Sequence, residues 1–193
     1  NIVGLRSEST KPNAFDDHIA VFYTDANGNL TSHIYPATTD PGTMIISIVL
    51  HEAAHNLGPA HDYKVKGKTD DAVFGGPLAS TMEELKAQTS ALFFTDWLVE
   101  KQLLTKEDAE KVHVRDVAWA FGHISRGMYS ASGSPRAYSQ LASIEMGALW
   151  KGGALLWKAD EAAANGTDKG CFDVAFEKWG PEVKKLEAET GQA

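Results

Sequence analysis

The sequence predicts a mainly α (α+β) fold, with a small N-terminal β-hairpin region over residues 1–43 and a helical domain over residues 44–193. Three observations predict it. From Thr43 onward, apolar residues recur at helical spacing in segments separated by glycine, proline or short polar runs. Earlier, "IAVFYTDANGNLTSHIY" (19–35) sets two β-rich runs around Asn27-Gly28, a strong hairpin signal because both residues tolerate positive φ. Between them, "PATTDPG" (36–42) breaks regular structure with two prolines and a glycine.

The first helix is expected from about Thr43 to Leu57, capped by Thr43 or Asp40 and ended by Gly58-Pro59. Met44, Ile45, Ile48, Val49 and Ala53 would be its buried residues. After the polar connection "KVKGKTDDAVFGGP", a second helix is expected to begin near Ser80-Thr81, with Leu85, Ala91, Leu92, Trp97 and Leu98 available for packing. A third opens at Thr105, three residues before Asp108, the spacing of an N-cap. A fourth spans about 137–157 and is loosened at Gly152-Gly153, and "PEVKKLEAETGQA" reads as a short solvated helix that frays. The five tryptophans, Trp97, Trp119, Trp150, Trp157 and Trp179, are spaced like core anchors. His18 and His33 read as surface residues beside the hairpin, and His113 sits in a charged helical stretch.

At 193 residues and 43% hydrophobic content, the chain can bury a real core as one compact unit. Its net charge of −8, without any long basic run, argues against nucleic acid or an anionic membrane as partner. No apolar run approaches the roughly 20 residues of a membrane helix, and no signal-peptide pattern opens the chain. The single Cys171 cannot form an internal disulfide, which slightly favours a cytoplasmic setting over a secreted or periplasmic one. The first residue is Asn1, as expected of a processed or trimmed chain. "FGG" and "KGG" lack a phosphate-binding pattern, so nucleotide binding has no support.

The chemistry concentrates in "HEAAHNLGPAH" (51–61). On a helix, positions i and i+4 share a face, so His51 and His55 can bind one ion through imidazole nitrogens. Glu52 is offset by one residue, which places its carboxylate beside the ion, where it can take a proton from water that zinc acidifies toward a pKa of about 7. Two surface histidines on an ordinary helix would be the bland alternative, but the preceding apolar run "MIISIVL" favours a buried active-site helix.

Catalytic zinc usually takes three protein ligands, and two candidates compete for the third place. His61 completes HExxHxxGxxH, with "SRGMY" (125–129) as a possible Met-turn. Alternatively, "STMEELKAQ" supplies Glu83 and Glu84, although Thr81 with Glu84 also reads as a capping box. Glu84 and Gln88 share one helical face, while Leu85, Ala91 and Leu92 point elsewhere.

"HEAAHNLGP" followed by "EELKAQTSALFFTDWL" resembles the zinc peptidases of the dipeptidyl-peptidase III family and their bacterial and plant relatives. That family pairs an HExxH or HExxxH helix with a helix bearing EExxA(D/E), and some relatives carry HExxHxxGPH. "AWAFGHISRGMY" and "YSQLASIEMGALWKGGAL" are similar to its later helices. The resemblance implies a zincin-like helical catalytic domain, with His51, His55 and Glu84 as zinc ligands and Glu52 as general base. It implies a second-shell or substrate-facing role for Glu83, and Gln88 stands where the family has an acid that orients a ligand histidine. The family's intermediate-stabilising histidine falls near Tyr138, so Tyr138, or Tyr129, His123 or Arg126, would supply that donor. His61 becomes a neighbour of the site.

The expected function is a Zn2+-dependent metallopeptidase acting on a peptide or protein substrate. A non-catalytic zinc-binding module derived from such a peptidase, or a hydrolase of peptidoglycan-type amides, are the alternatives.

Overall fold

A computed structural model of the chain describes residues 41–57, 64, 66–69, 72–73, 76–162 and 169–190. The expected hairpin around Asn27-Gly28, with His18 and His33, lies outside the described residues, as do Gly58-Pro59 and His61. The described chain is mostly helical: α1 (Pro41–Ala54), α2 (Pro77–Glu100), α3 (Lys106–Ile124) and α4 (Ala137–Gly152) are followed by β1 (Leu155–Ala162), β2 (Lys169–Val174) and α5 (Phe176–Thr190).

The long α2 is the central element and packs against α1, α3, α4 and α5. Leu85 and Leu92 of α2, Val117 of α3, Leu141 and Leu149 of α4, Leu155 of β1 and Trp179 and Val183 of α5 form one core. Each such side chain contributes roughly 1.5–3 kcal/mol by leaving water.

Helix α2 begins at Pro77, ahead of the expected start, with proline in the first turn where its missing N–H costs nothing. Thr81 therefore lies inside the helix, and its hydroxyl donates to Gln140 Oε1 at 3.0 Å instead of forming a capping box with Glu84. Thr105 does cap α3, accepting from the Asp108 N–H at 3.1 Å.

Helix α4 stops at Gly152 because Gly153 adopts the left-handed conformation (φ 79°), and Leu155–Trp157, expected to be helical, enter β1 instead. β1 and β2 form an antiparallel hairpin that pairs Leu155 with Val174, Trp157 with Phe172 and Lys158 with Cys171, with a register irregularity before Ala162. Gly170 (φ 98°) is required there, since a Cβ at that position would lie 2.5 Å from the Trp157 ring.

The tail is a packed element, in contrast to the solvated helix expected: Trp179, Val183 and Leu186 form a buried i, i+4, i+7 stripe on α5. Of the five tryptophans only Trp179 is fully buried; Trp97, Trp150 and Trp157 are exposed. His113 is buried too, its Nε2 donating to Asp96 Oδ1 over 2.7 Å and its ring packing against Trp179.

The largest departure is in α1. Ile45, Ile48, Val49 and Ala53 are exposed, whereas Ser47, His51 and Ala54 are buried. The helix turns its polar stripe inward because that stripe finds partners there: the Ser47 hydroxyl donates to Asp116 Oδ1 at 2.6 Å, and the two histidines meet α2. Paired polar groups can be buried where unpaired ones cannot.

Candidate metal centre

α1 and α2 lie side by side, which sets His51 and His55, one turn apart, against Glu83, Glu84 and Gln88. His51 Nδ1 is 2.9 Å from Gln88 Oε1, and His55 Nδ1 is 2.9 Å from Glu83 Oε1. Both acceptors lack a proton to give, so each histidine donates from Nδ1 and, when neutral, leaves Nε2 as a bare lone pair. Those lone pairs point at one place. His51 Nε2 and His55 Nε2 are 3.2 Å apart, and Glu84 Oε2 is 3.2 Å from the first and 3.7 Å from the second.

Two lone pairs and a carboxylate oxygen converging this closely repel one another unless positive charge lies among them. The triad fits a metal ion: ligands on a tetrahedral zinc at 2.0–2.1 Å are about 3.4 Å from each other. Electrostatics at the ligands agrees in sign. The cluster favours positive charge: burial acts to lower the His51 pKa, but in the protonated ring the Nε2–H bond to Glu84 and the Nδ1–H bond to Gln88 outweigh it and the net shift is upward, so a proton occupies the place between the ligands that a metal ion would take. Burial acts to raise that of Glu84, yet hydrogen bonds from His51 and Tyr138 bring it below the ordinary value.

Beside His51 is a cavity of about 200 Å³, lined by Ser47, Ile48, Glu52, Arg115, Trp119 and Tyr138 among others. Glu52 is exposed at its edge, offset from the ligand face as the one-residue step requires. The Tyr138 hydroxyl is bonded to Glu84; burial first, then the Glu84 charge, push its pKa up to about 12, so it stays a proton donor. Its ring centroid is 6.4 Å from that of His51 and 5.3 Å from that of His123. His123 rests against Trp119, and burial followed by the Arg126 charge holds its pKa below the ordinary value. Glu83 binds Lys86 Nζ at 2.9 Å besides orienting His55. Tyr129 is exposed, and Met128 accepts from the Ser143 hydroxyl at 3.4 Å.

Thus His51, His55, Glu84, Glu83, Gln88, Glu52 and Tyr138 are brought together, with His123 and Arg126 at the far side. Sequence reasoning missed Ser47, Arg115, Asp116 and Trp119. Arg115 and Asp116 are adjacent opposite charges amid "VHV" and "VAWA", an apolar setting that could have marked them as buried. Arg115 Nη1 donates to Asp116 Oδ1 at 3.2 Å. Burial raises the Asp116 pKa against the opposing Arg115 charge.

Two other features lie apart from this chemistry. A larger groove of about 550 Å³ between α2, α3 and α5 carries no ligating triad. Glu161, Cys171 and Asp173 cluster on the hairpin, but Lys158 Nζ already sits 3.7 Å and 3.6 Å from the two carboxylates.

No family model matches the chain. Over 143 residues, 73% of its length, it is 28% identical to Nudix hydrolase 3 of Arabidopsis thaliana, of which it spans 16%. Its fold is similar to that of DPP III from Caldithrix abyssi, with a TM-score of 0.67 over 98% of this chain and 32% of that one, at 19% identity. The chain therefore spans about a sixth and a third of these two proteins. The structural likeness places it in a DPP III-like helical fold.

Proposed function

We propose that the chain is the catalytic portion of a zinc-dependent metallopeptidase. The observation that carries this reading is the convergence of His51 Nε2, His55 Nε2 and Glu84 Oε2 beside the carboxylate of Glu52. The DPP III-like fold supports it, since that neighbour suggests a peptidase fold.

His51, His55 and Glu84 hold the ion in this reading. Zinc, when bound, supplies Lewis acidity that polarises a scissile carbonyl and acidifies water. Glu52 takes the proton of the attacking water and returns it to the leaving amine. Tyr138, protonated at all working pH values, donates to the oxyanion that develops on the carbonyl. Gln88 and Glu83 orient the two rings, so the ligands stay in one tautomer.

Glu52→Gln tests the mechanism. Zinc content should stay at the unmodified level while hydrolysis of a mixed peptide pool falls by at least about 10²-fold. Unchanged turnover would sink the assignment. Full zinc occupancy without cleavage of peptides or muropeptides by the unmodified chain would instead mark a binding module.

A further inference from the structure

A second cavity of about 250 Å³ adjoins the metal cavity, bounded by His123, Arg126, Arg136, Ala137, Tyr138 and Ser139. His123 and Tyr138 belong to both and form the shared wall. The chain has only four arginines, and three of them line these two spaces: Arg115 the metal cavity, Arg126 and Arg136 the adjoining one. No lysine lines either.

That choice of cation has a chemical meaning. Lysine offers a mobile point charge, whereas guanidinium offers a planar fork matching the two oxygens of a carboxylate. In a chain of net charge −8, a local excess of guanidinium is not what average composition would place there. Arg136 and Arg126 are exposed at the cavity rim, and the Arg136 Nε donates to the Tyr129 carbonyl at 3.2 Å. Arg126 is near enough to His123 to depress its pKa. Among the described residues, neither arginine pairs with a carboxylate. The inner Arg115, 6% exposed, is committed to Asp116 through Nη1, and its Nε has no partner among the described residues.

We propose that the cavity of Arg126 and Arg136 binds a carboxylate of the substrate, so that the favoured substrates are peptides carrying one within a residue or two of the scissile bond. The carboxylate is either the peptide's own C-terminus or an acidic side chain. The position relative to the scissile bond rests on the metallopeptidase reading; the carboxylate preference itself does not.

The test uses the full zinc-loaded chain carrying Glu52→Gln, which removes turnover, and three versions of one alanine-rich tetrapeptide. These are the free acid, the C-terminal amide, and an amide with a single internal glutamate, each titrated calorimetrically. At least one acidic version should bind roughly tenfold or more tighter than the neutral amide, as expected of a charge-assisted bidentate contact. Adding Arg126→Gln and Arg136→Gln should cut that preference to under about twofold while zinc content holds. A tighter free acid identifies a C-terminal carboxylate as the ligand, and a tighter glutamate peptide identifies a side chain. Equal binding of all three, no binding by any, or a preference that survives the double substitution overturns the proposal. Cleavage by the chain with Glu52 intact is scored separately, so failure of peptidase activity with the preference retained condemns only the catalytic reading.

Discussion

His51 Nδ1 and Gln88 Oε1 meet at 2.9 Å, and this contact decides which nitrogen of the ring faces His55 and Glu84. Because an amide oxygen can only accept, the proton stays on Nδ1 and the Nε2 lone pair is presented to Glu84 and His55. Removing this support with Gln88→Ala should weaken zinc binding by about 10–100-fold in a chelator-competition titration. Gln88→Glu should restore or tighten it, since a carboxylate raises imidazole basicity further. Equal affinity in all three proteins would show that the contact does not orient the ring.

The third ligand is tested by stoichiometry. Glu84→Ala should reduce bound zinc well below one ion per chain, because a catalytic site uses three protein ligands. His61→Ala should retain it. Metal loss only on substituting His61 would return the site to a three-histidine arrangement.

A reversal of the usual pattern is expected on α1. Ile45 is 53% exposed, so Ile45→Ser should change stability by no more than about 0.5 kcal/mol. Ser47 is buried and donates to the equally buried Asp116, so Ser47→Ala should cost about 1–3 kcal/mol. Urea denaturation of the two variants compares them directly, and a larger loss from Ile45→Ser would mean that the helix is rotated from the orientation described.

Glu145 gives a pH dependence. It is fully buried, its side chain accepts from the Thr89 hydroxyl at 3.3 Å, and burial followed by the Asp116 charge raises its pKa well above the ordinary value. A folded-state pKa above the unfolded one means stability that is complete below the unfolded value near 4.5 and lost as pH rises toward the folded value. Glu145→Gln removes this titration. Its Tm should therefore exceed that of the unmodified chain by an amount that grows as pH rises above the unfolded value, at roughly 2–4 °C per kcal/mol. A constant difference across that range would refute the shifted ionisation.

Much of the helical order and of the candidate site was legible in the sequence, and the parts that were not have physical reasons. The i, i+4 spacing of His51 and His55 dictates a shared face in any helix, and the Thr105 cap follows from local hydrogen bonding alone. Glu84 required the family resemblance, since twenty-eight intervening residues leave its approach to His55 to tertiary packing. The orientation of α1 was misjudged because apolar pattern assigns isoleucine and valine to the core, while here buried hydrogen bonds to Asp116, Gln88 and Glu83 overrule it. The hairpin of β1 and β2 was missed although "EAAANGTDKG" repeats the Asn-Gly signal used for residues 27–28, because a helix was extended past Gly153. On α5, abundant charge hid a regular stripe of Trp179, Val183 and Leu186.

The inward polar stripe of α1 also constrains how this chain could change over generations. Its anchor and its candidate chemistry are the same side chains, so Ser47, His51 and His55 cannot be exchanged freely without loosening the helix from its neighbours. A descendant kept only as a scaffold would be expected to replace them with aliphatic residues of similar bulk. In the present sequence those three positions are polar, so the helix is held by hydrogen bonds where a scaffold would use aliphatic contacts.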